Sequence, residues 1–456
     1  MDASQPVITA SAAKLHLSPT LQINEHVHRV RASGKKVVHL GFGEATFPIQ
    51  VAVLKAHRDA SNSTSYMPVA GILELRERIA AYQSGRLGIP VHADQVIVAP
   101  GSKPLLFALF DFLDGDVLLP RPSWVSYEPQ VANAGKRLFW IETDKHDRHT
   151  LTEAALDRAY SSAVDAGARP RIMLINSPSN PTGQVFSKEQ ISLIVEFCRK
   201  HYIILISDEI YSDICFDADD VKVSAFGSAY GNDGTVIMTG GLSKTYSAGG
   251  WRIGYAIFPS SSVGKSIRQT TLAYASECWS AASAPAQMAS IKAFSSIHTT
   301  AEPIGLAMDE YREAVTCLHR MCTMRLYHAL KNCGLAVAEP KGSFYLYPSF
   351  HPYESQLKSI GVATSSELST WLIEECGLAA LPGSAFGEKD ECEHSGGGNL
   401  RLRMATSSLY FSSEEERYSM GYALLKSAVA GEEVPLPLLD EAIAAIQAAV
   451  KMLKAV

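Results

Sequence analysis

Residues 239–255 read TGGLSKTYSAGGWRIGY, with Lys244 near the centre, Ser243 just before it and Arg252 eight positions after. A short apolar run, 235–238, leads in and predicts a strand, so the lysine falls just past a strand end. Gly240, Gly241, Gly249 and Gly250 crowd it, and glycine lets a backbone take positive φ and approach a ligand closely. Burial and a neighbouring guanidinium both disfavour the charged ammonium and lower its pKa. The free amine is the form that makes a Schiff base with an aldehyde. A surface lysine in a glycine-rich loop explains the same residues equally well, so the decision comes from the rest of the chain.

Upstream, four more apolar runs end in polar residues. Residues 95–99 run into Gly101-Ser102-Lys103 and an apolar helix, an arrangement that aims free N–H groups at an anion. Residues 117–120 are followed by Trp124, which a plain core tryptophan would also explain. The run 171–175 ends in NSPSNPTGQ, where Asn180 lies between Pro178 and Pro181 and serves as a turn former if nothing else. A Ser187–Gln190 capping box then opens a helix. The run 203–206 ends in SDEIYSD, placing Asp208, Glu209 and Tyr211 at its C-terminal edge. Strands alternating with helices predict an α/β fold with a mostly parallel sheet, and such sheets bind ligands at that edge. Each strand end is ambiguous alone; together they gather an anion site, an aromatic plate, an amide, an acid, a phenol and an amine.

The flanks complete the layout. A helix over 21–33 leads to a strand at 37–40 that ends at Gly41 and Gly43, and Tyr66 precedes a turn and a long amphipathic helix. After residue 255 the chain is expected to leave the sheet, and a long helix over 301–331 reads as a strut. A smaller domain is expected from near 305, with a helix at 365–375 and a strand at 400–406 on which Arg401 and Arg403 share a face. The acidic, Gly-rich stretch 388–399 between them is expected to be mobile, and the prolines at 435 and 437 split the tail into two helices. The division is therefore 1–48, an N-terminal segment joining the small domain; 49–300, the large domain; and 301–456, the C-terminal small domain.

Composition narrows the classes. The 456 residues carry a net charge of −6, 46% hydrophobic and 19% charged residues, a globular balance that disfavours a nucleic-acid surface. No apolar run is long enough for a membrane span, and the first ten residues lack the order of a secretory signal. Eight scattered cysteines without a CxxC pair predict free thiols in a reducing, cytoplasmic setting and no metal site.

Four motifs in order, NSPSNPTG, SDEIYSD, LSKTYSAGGWRIGY and the late RLRMAT, resemble the class I/II aminotransferases, fold type I enzymes that use pyridoxal 5'-phosphate. The resemblance covers most of the chain. It implies that Lys244 carries the cofactor as an internal aldimine and then moves the proton during amino transfer between an α-amino acid and a 2-oxo acid. It implies that Asp208 pairs with the ring nitrogen, Tyr211 and Asn180 bond the ring oxygen, and Trp124 stacks on the ring. Ser102, Lys103, Ser243 and Arg252 would hold the phosphate. Arg401, rather than Arg403, would take the substrate α-carboxylate with help from Gly43, beside Trp124 and Asn180. Tyr66 would reach the phosphate of a second subunit, implying a homodimer with shared sites.

Three departures stand out. Gly241 occupies a place where many members have a phosphate-binding serine. The usual Gly-Glu-Pro-Asp-Phe opening reads Gly43-Glu44-Ala45-Thr46-Phe47, and Glu277, Cys278 and Trp279 stand where the partner's substrate pocket is usually lined. With no arginine evident there, aspartate or glutamate is disfavoured as the main donor in the usual binding mode. The stretch 409–437 is longer than the family's usual connection. Elimination, replacement, ring formation or oxidation with the same cofactor is the alternative chemistry. A ligand-sensing regulator on the same fold would need a DNA-binding domain that the short N-terminal segment does not provide.

Overall fold

The computed structural model describes residues 8, 12–15, 17–228, 234–295, 306–390 and 399–456. The expected domain break at 300/301, Cys392 and most of the stretch 388–399 lie outside the described residues.

Seven strands form the main sheet: β2 (Val96–Ala99), β3 (Asp116–Arg121), β4 (Leu138–Glu142), β5 (Pro170–Asn176), β6 (Ile204–Asp208), β7 (Val236–Gly241) and β8 (Gly254–Ile257), where β1 is Val38–His39 near the N-terminus. Their order is β2-β8-β7-β6-β5-β3-β4, with β8 antiparallel to both neighbours and the remaining pairs parallel. Both faces are buried, as a parallel sheet requires. Val96, Val98, Met173, Ile175 and Leu205 face one core, while Ile97, Ile172, Leu174 and Ile206 face the other. Helix α4 (Ser102–Phe112) covers the second face, and α3 (Leu73–Leu87) and α7 (Lys188–Lys200) contribute to the first. Helix α7 opens with the expected capping box: Ser187 Oγ accepts from the Gln190 N–H at 3.3 Å and Gln190 Oε1 from the Ser187 N–H at 3.0 Å. Such a cap contributes about 1 kcal/mol.

Two strands of the main sheet escape the sequence reading. Strand β4 is mostly half-buried, with a single buried residue in its five, so its apolar signal is weak. Strand β8 straddles residue 255, after which the chain was expected to leave the sheet; the chain instead turns at Arg252 and inserts between β2 and β7.

The second layer combines both ends of the chain. Strand β1 pairs in parallel with β10 (Leu378–Ala379), and β11 (Leu381–Pro382), β12 (Leu402–Ala405) and β9 (Tyr345–Leu346) form a three-stranded antiparallel sheet in the order β11-β12-β9. Around it pack α1 (Pro19–Ala32), α12 (Ser365–Cys376), α13 (Glu414–Val429) and α14 (Pro437–Lys454), and the long α10 (Met308–Asn332) runs between the layers. The architecture is thus an α/β fold of type I with a smaller α+β part.

Between β1 and α2 (Val51–Asp59), residues 43–49 form no strand, so their carbonyls need other donors. Ser247 Oγ donates to Ala45 O at 2.5 Å and Arg417 Nε to Phe47 O at 2.9 Å. The Tyr311 hydroxyl donates to Pro48 O at 2.9 Å and the Tyr422 hydroxyl to Ile49 O at 2.6 Å. Arg417 and Tyr422 belong to α13, so the extended tail holds this segment.

Candidate active site

The C-terminal ends of β6 and β7 define one wall of a cavity of about 590 Å³. Asp208 closes β6 and sits opposite Thr239 of β7 in register. Its carboxylate accepts from the Tyr127 hydroxyl at 2.7 Å and from Thr239 Oγ1 at 3.0 Å. Burial pushes the carboxyl above its usual pKa, and these donors pull it back. A cationic ring N–H at this point would relieve the same desolvation. Glu209, the next residue, turns away and forms a buried pair with Arg86 at 2.6 Å.

Past β7, the Lys244 amine donates to the Gly43 carbonyl at 2.6 Å. Burial lowers its pKa to about 8, helped by Arg403 and then Arg252, while Glu44 and Asp208 oppose the shift. The sequence argument named Arg252 as the neighbouring cation; Arg403 contributes more. The Tyr211 hydroxyl lies 2.9 Å from that of Tyr345, and Asn180 is buried with its N–H on Asn176 Oδ1 at 2.8 Å.

At the other end, Ser102 and Lys103 begin α4 with their N–H groups free of helix partners. Gly101 (φ +90°) and Gly254 make room: a Cβ on Gly254 would stand 2.2 Å from the Ser102 nitrogen, and one on Gly101 2.1 Å from Arg252 Nη2. Ser243 and Arg252 line the same end. At Gly241 a Cβ would meet the Ile253 carbonyl at 2.7 Å, so this backbone has no space for the serine that the family resemblance led one to expect there. Trp124 forms a side of the cavity, edge-on to Tyr127 at 5.2 Å, with the Lys103 ammonium 4.9 Å over its ring. An anion cradle, an aromatic plate, a buried carboxylate and a buried amine make a donor set that fits pyridoxal phosphate.

Arg401, expected to take the substrate carboxylate, is not among the residues that line the cavity of Lys244. Arg401 stands just before β12, bridged to Ser349, and lines a separate cavity. Arg403 is buried inside the strand and lines the cavity of Lys244, donating to Asn180 Oδ1 at 3.2 Å and Gly41 O at 2.7 Å. The two arginines, expected to share a face, line different cavities, and strand alternation does not say which of them meets Asn180. Tyr66 is fully exposed and away from the cavity, and Glu277, Cys278 and Trp279 end α8 (Ser262–Cys278) without lining it. Tyr127, Thr239 and Tyr345 were missed. The signal for Tyr345 lies in Gly43, where a Cβ would fall 2.2 Å from its hydroxyl.

The family model for "Aminotransferase class I and II" matches residues 35–409, and the chain belongs to that family. It is 32% identical over 402 residues to an aspartate aminotransferase of Geobacillus stearothermophilus, covering 87% of this chain and 93% of the relative. A probable aspartate/prephenate aminotransferase of Aquifex aeolicus is 30% identical over 430 residues, covering 92% and 98%. Among solved structures, a double mutant of Thermus thermophilus aspartate aminotransferase superposes with a TM-score of 0.75 at 26% identity, covering 93% and 98%. The aromatic aminotransferase of Pyrococcus horikoshii gives 0.71 at 26%, covering 94% and 100%. The protein is an aminotransferase of class I/II, and the alternative cofactor chemistries are not favoured.

Proposed function

We propose that the cavity between β6, β7 and β12 holds pyridoxal phosphate and passes an amino group from an α-amino acid to a 2-oxo acid. The observation that carries this reading is the buried Lys244 amine, held near pKa 8, in one cavity with Asp208, Arg252 and Arg403. When bound, the cofactor supplies an aldehyde for the amino group and a ring that accepts electrons. Asp208, steadied by Tyr127 and Thr239, pairs with the ring N–H. Trp124 would pack against the ring, and Tyr211 and Asn180 would hold its oxygen. The Ser102 and Lys103 N–H groups, with Ser243 and Arg252, bind the phosphate. The Lys244 amine would carry the proton at the substrate Cα. Arg403 binds the α-carboxylate, with the Gly43 segment closing over it.

Lys103 bears on the donor. Its ammonium faces the cavity with burial and Arg252 lowering its pKa, so an added anion would stabilise it. We assign it to the side-chain carboxylate of a dicarboxylic donor, which reverses the expectation that aspartate and glutamate are disfavoured; relatives named aspartate aminotransferase support the reversal. Mixing holoenzyme with aspartate should yield oxaloacetate and convert the cofactor absorbance to that of pyridoxamine phosphate. Ammonia release without that conversion overturns the reading.

The exposed Tyr66 is assigned to a second copy of the chain, whose phosphate end it would complete in a homodimer. Among the described residues no helix is long and apolar enough to cross a membrane, and all described cysteines are free, which suits the cytoplasm.

A further inference from the structure

A second cavity stands apart from the one that holds Lys244. It measures about 760 Å³, and no residue lines both cavities. Arg401, Lys145, Arg148 and Lys331 line it. Of its two glutamates, Glu142 is taken by Arg121 at 2.8 Å, and Glu388 is bonded by the Tyr347 hydroxyl at 2.8 Å, with burial raising its pKa. Arg148 is spent on neutral groups, Gln184 Oε1 at 3.0 Å and Glu339 O at 3.3 Å. The side chains of Arg401, Lys145 and Lys331 make no hydrogen bond or ion pair among the described residues, and the Arg401 guanidinium rests 5.9 Å over the Tyr347 ring. Arg401 and Lys145 act on Glu388 through their charge alone, and among the described residues six basic side chains line the cavity against two carboxylates, a surplus of positive charge.

Two further observations point the same way. Arg148 (φ 57°) and His149 (φ 59°) are consecutive left-handed residues, a costly backbone for side chains with a Cβ, and both face this cavity. His149 is buried there, and burial with the Arg401 charge lowers its pKa to about 3, so it stays neutral beside the cations. Like charges held together in a concave site concentrate counter-anions, and guanidinium groups match oxyanions in particular.

We infer that this cavity is a second ligand site, separate from the reaction cavity, that takes a small multivalent oxyanion, either a polyphosphate or a polycarboxylate. Calorimetric titration of pyridoxal-phosphate-loaded enzyme with inorganic pyrophosphate, and separately with citrate, distinguishes the two sources. Saturable binding of at least one, near one per chain, is expected, and it should persist with the amino-acid substrate saturating. The double variant Arg401→Ala, Lys145→Ala should retain amino transfer, which shows that it is folded, and bind at least tenfold more weakly. The proposal is overturned if neither anion saturates, if the variant binds equally well, or if substrate abolishes binding.

Discussion

Arg403 holds its guanidinium between the Gly41 carbonyl and Asn180, with 2% of its surface exposed. Its Nε has no partner among the described residues, so a donor already paid for by burial is left for an incoming carboxylate. Arg403→Ala should lower kcat/KM by roughly tenfold to a hundredfold, the equivalent of about 1.5–3 kcal/mol for a charged hydrogen bond. Arg401→Ala should leave the steady-state kinetics within about twofold; the reverse pattern in initial rates would contradict the assignment. Lys244 makes a second case. Its pKa lies below that of a free lysine, so the reactive amine becomes populated as pH rises through about 8. The rate of pyridoxal phosphate uptake by the apoenzyme should climb across that point. In Arg403→Ala the midpoint should move upward, because a charge that disfavours the ammonium is gone. A midpoint near the ordinary lysine value in the native protein would remove the claim. Sequence alone brought out Lys244, Asp208, Tyr211, Asn180 and Arg252, since each ends a strand or sits in a distinctive motif. It could not separate Arg401 from Arg403, because the choice depends on where β12 begins beside Ser349 rather than on spacing.

At the scale of elements, the phosphate end depends on two backbones in contact. Strand β8 runs past the start of α4 so closely that Gly254 can carry no side chain. Gly254→Ala should weaken pyridoxal phosphate binding by more than tenfold in fluorescence titration, by displacing the Ser102 N–H. Unchanged affinity would show that the Ser102 N–H is not a ligand. The parallel strands were legible because buried runs such as 171–175 stop abruptly at polar residues. Strand β8 was not, because its first two residues belong to the lysine motif and gave no separate start signal. Helix α13 was foreseen only as a helix; that Arg417 reaches Phe47 across 370 positions has no local sequence signature. Arg417→Ala should raise KM for the amino donor several-fold while Lys244 still binds cofactor, measured by absorbance and initial rates together. Equal KM values would make the contact dispensable.

For the whole molecule, the two sheets meet at the cavity, with Asp208 and Lys244 from one and Arg403 from the other. A ligand that spans them should stabilise the folded state by RT ln(1 + [L]/Kd), about 2.7 kcal/mol at a hundredfold excess over Kd. Removing pyridoxal phosphate should therefore lower Tm by several degrees in differential scanning calorimetry. No shift would mean that the cofactor touches neither sheet firmly. The segment 43–49 adds a consequence in time. Its Ile49 carbonyl waits for Tyr422, 373 positions later, and Phe47 for Arg417. At a synthesis rate of about 5–20 residues per second, the ribosome needs roughly 20–75 s to make that partner. A nascent chain can thus display the lysine motif long before it owns a finished reaction chamber, and a message truncated before α13 would yield a chain with the chemistry's residues but without the wall that encloses them.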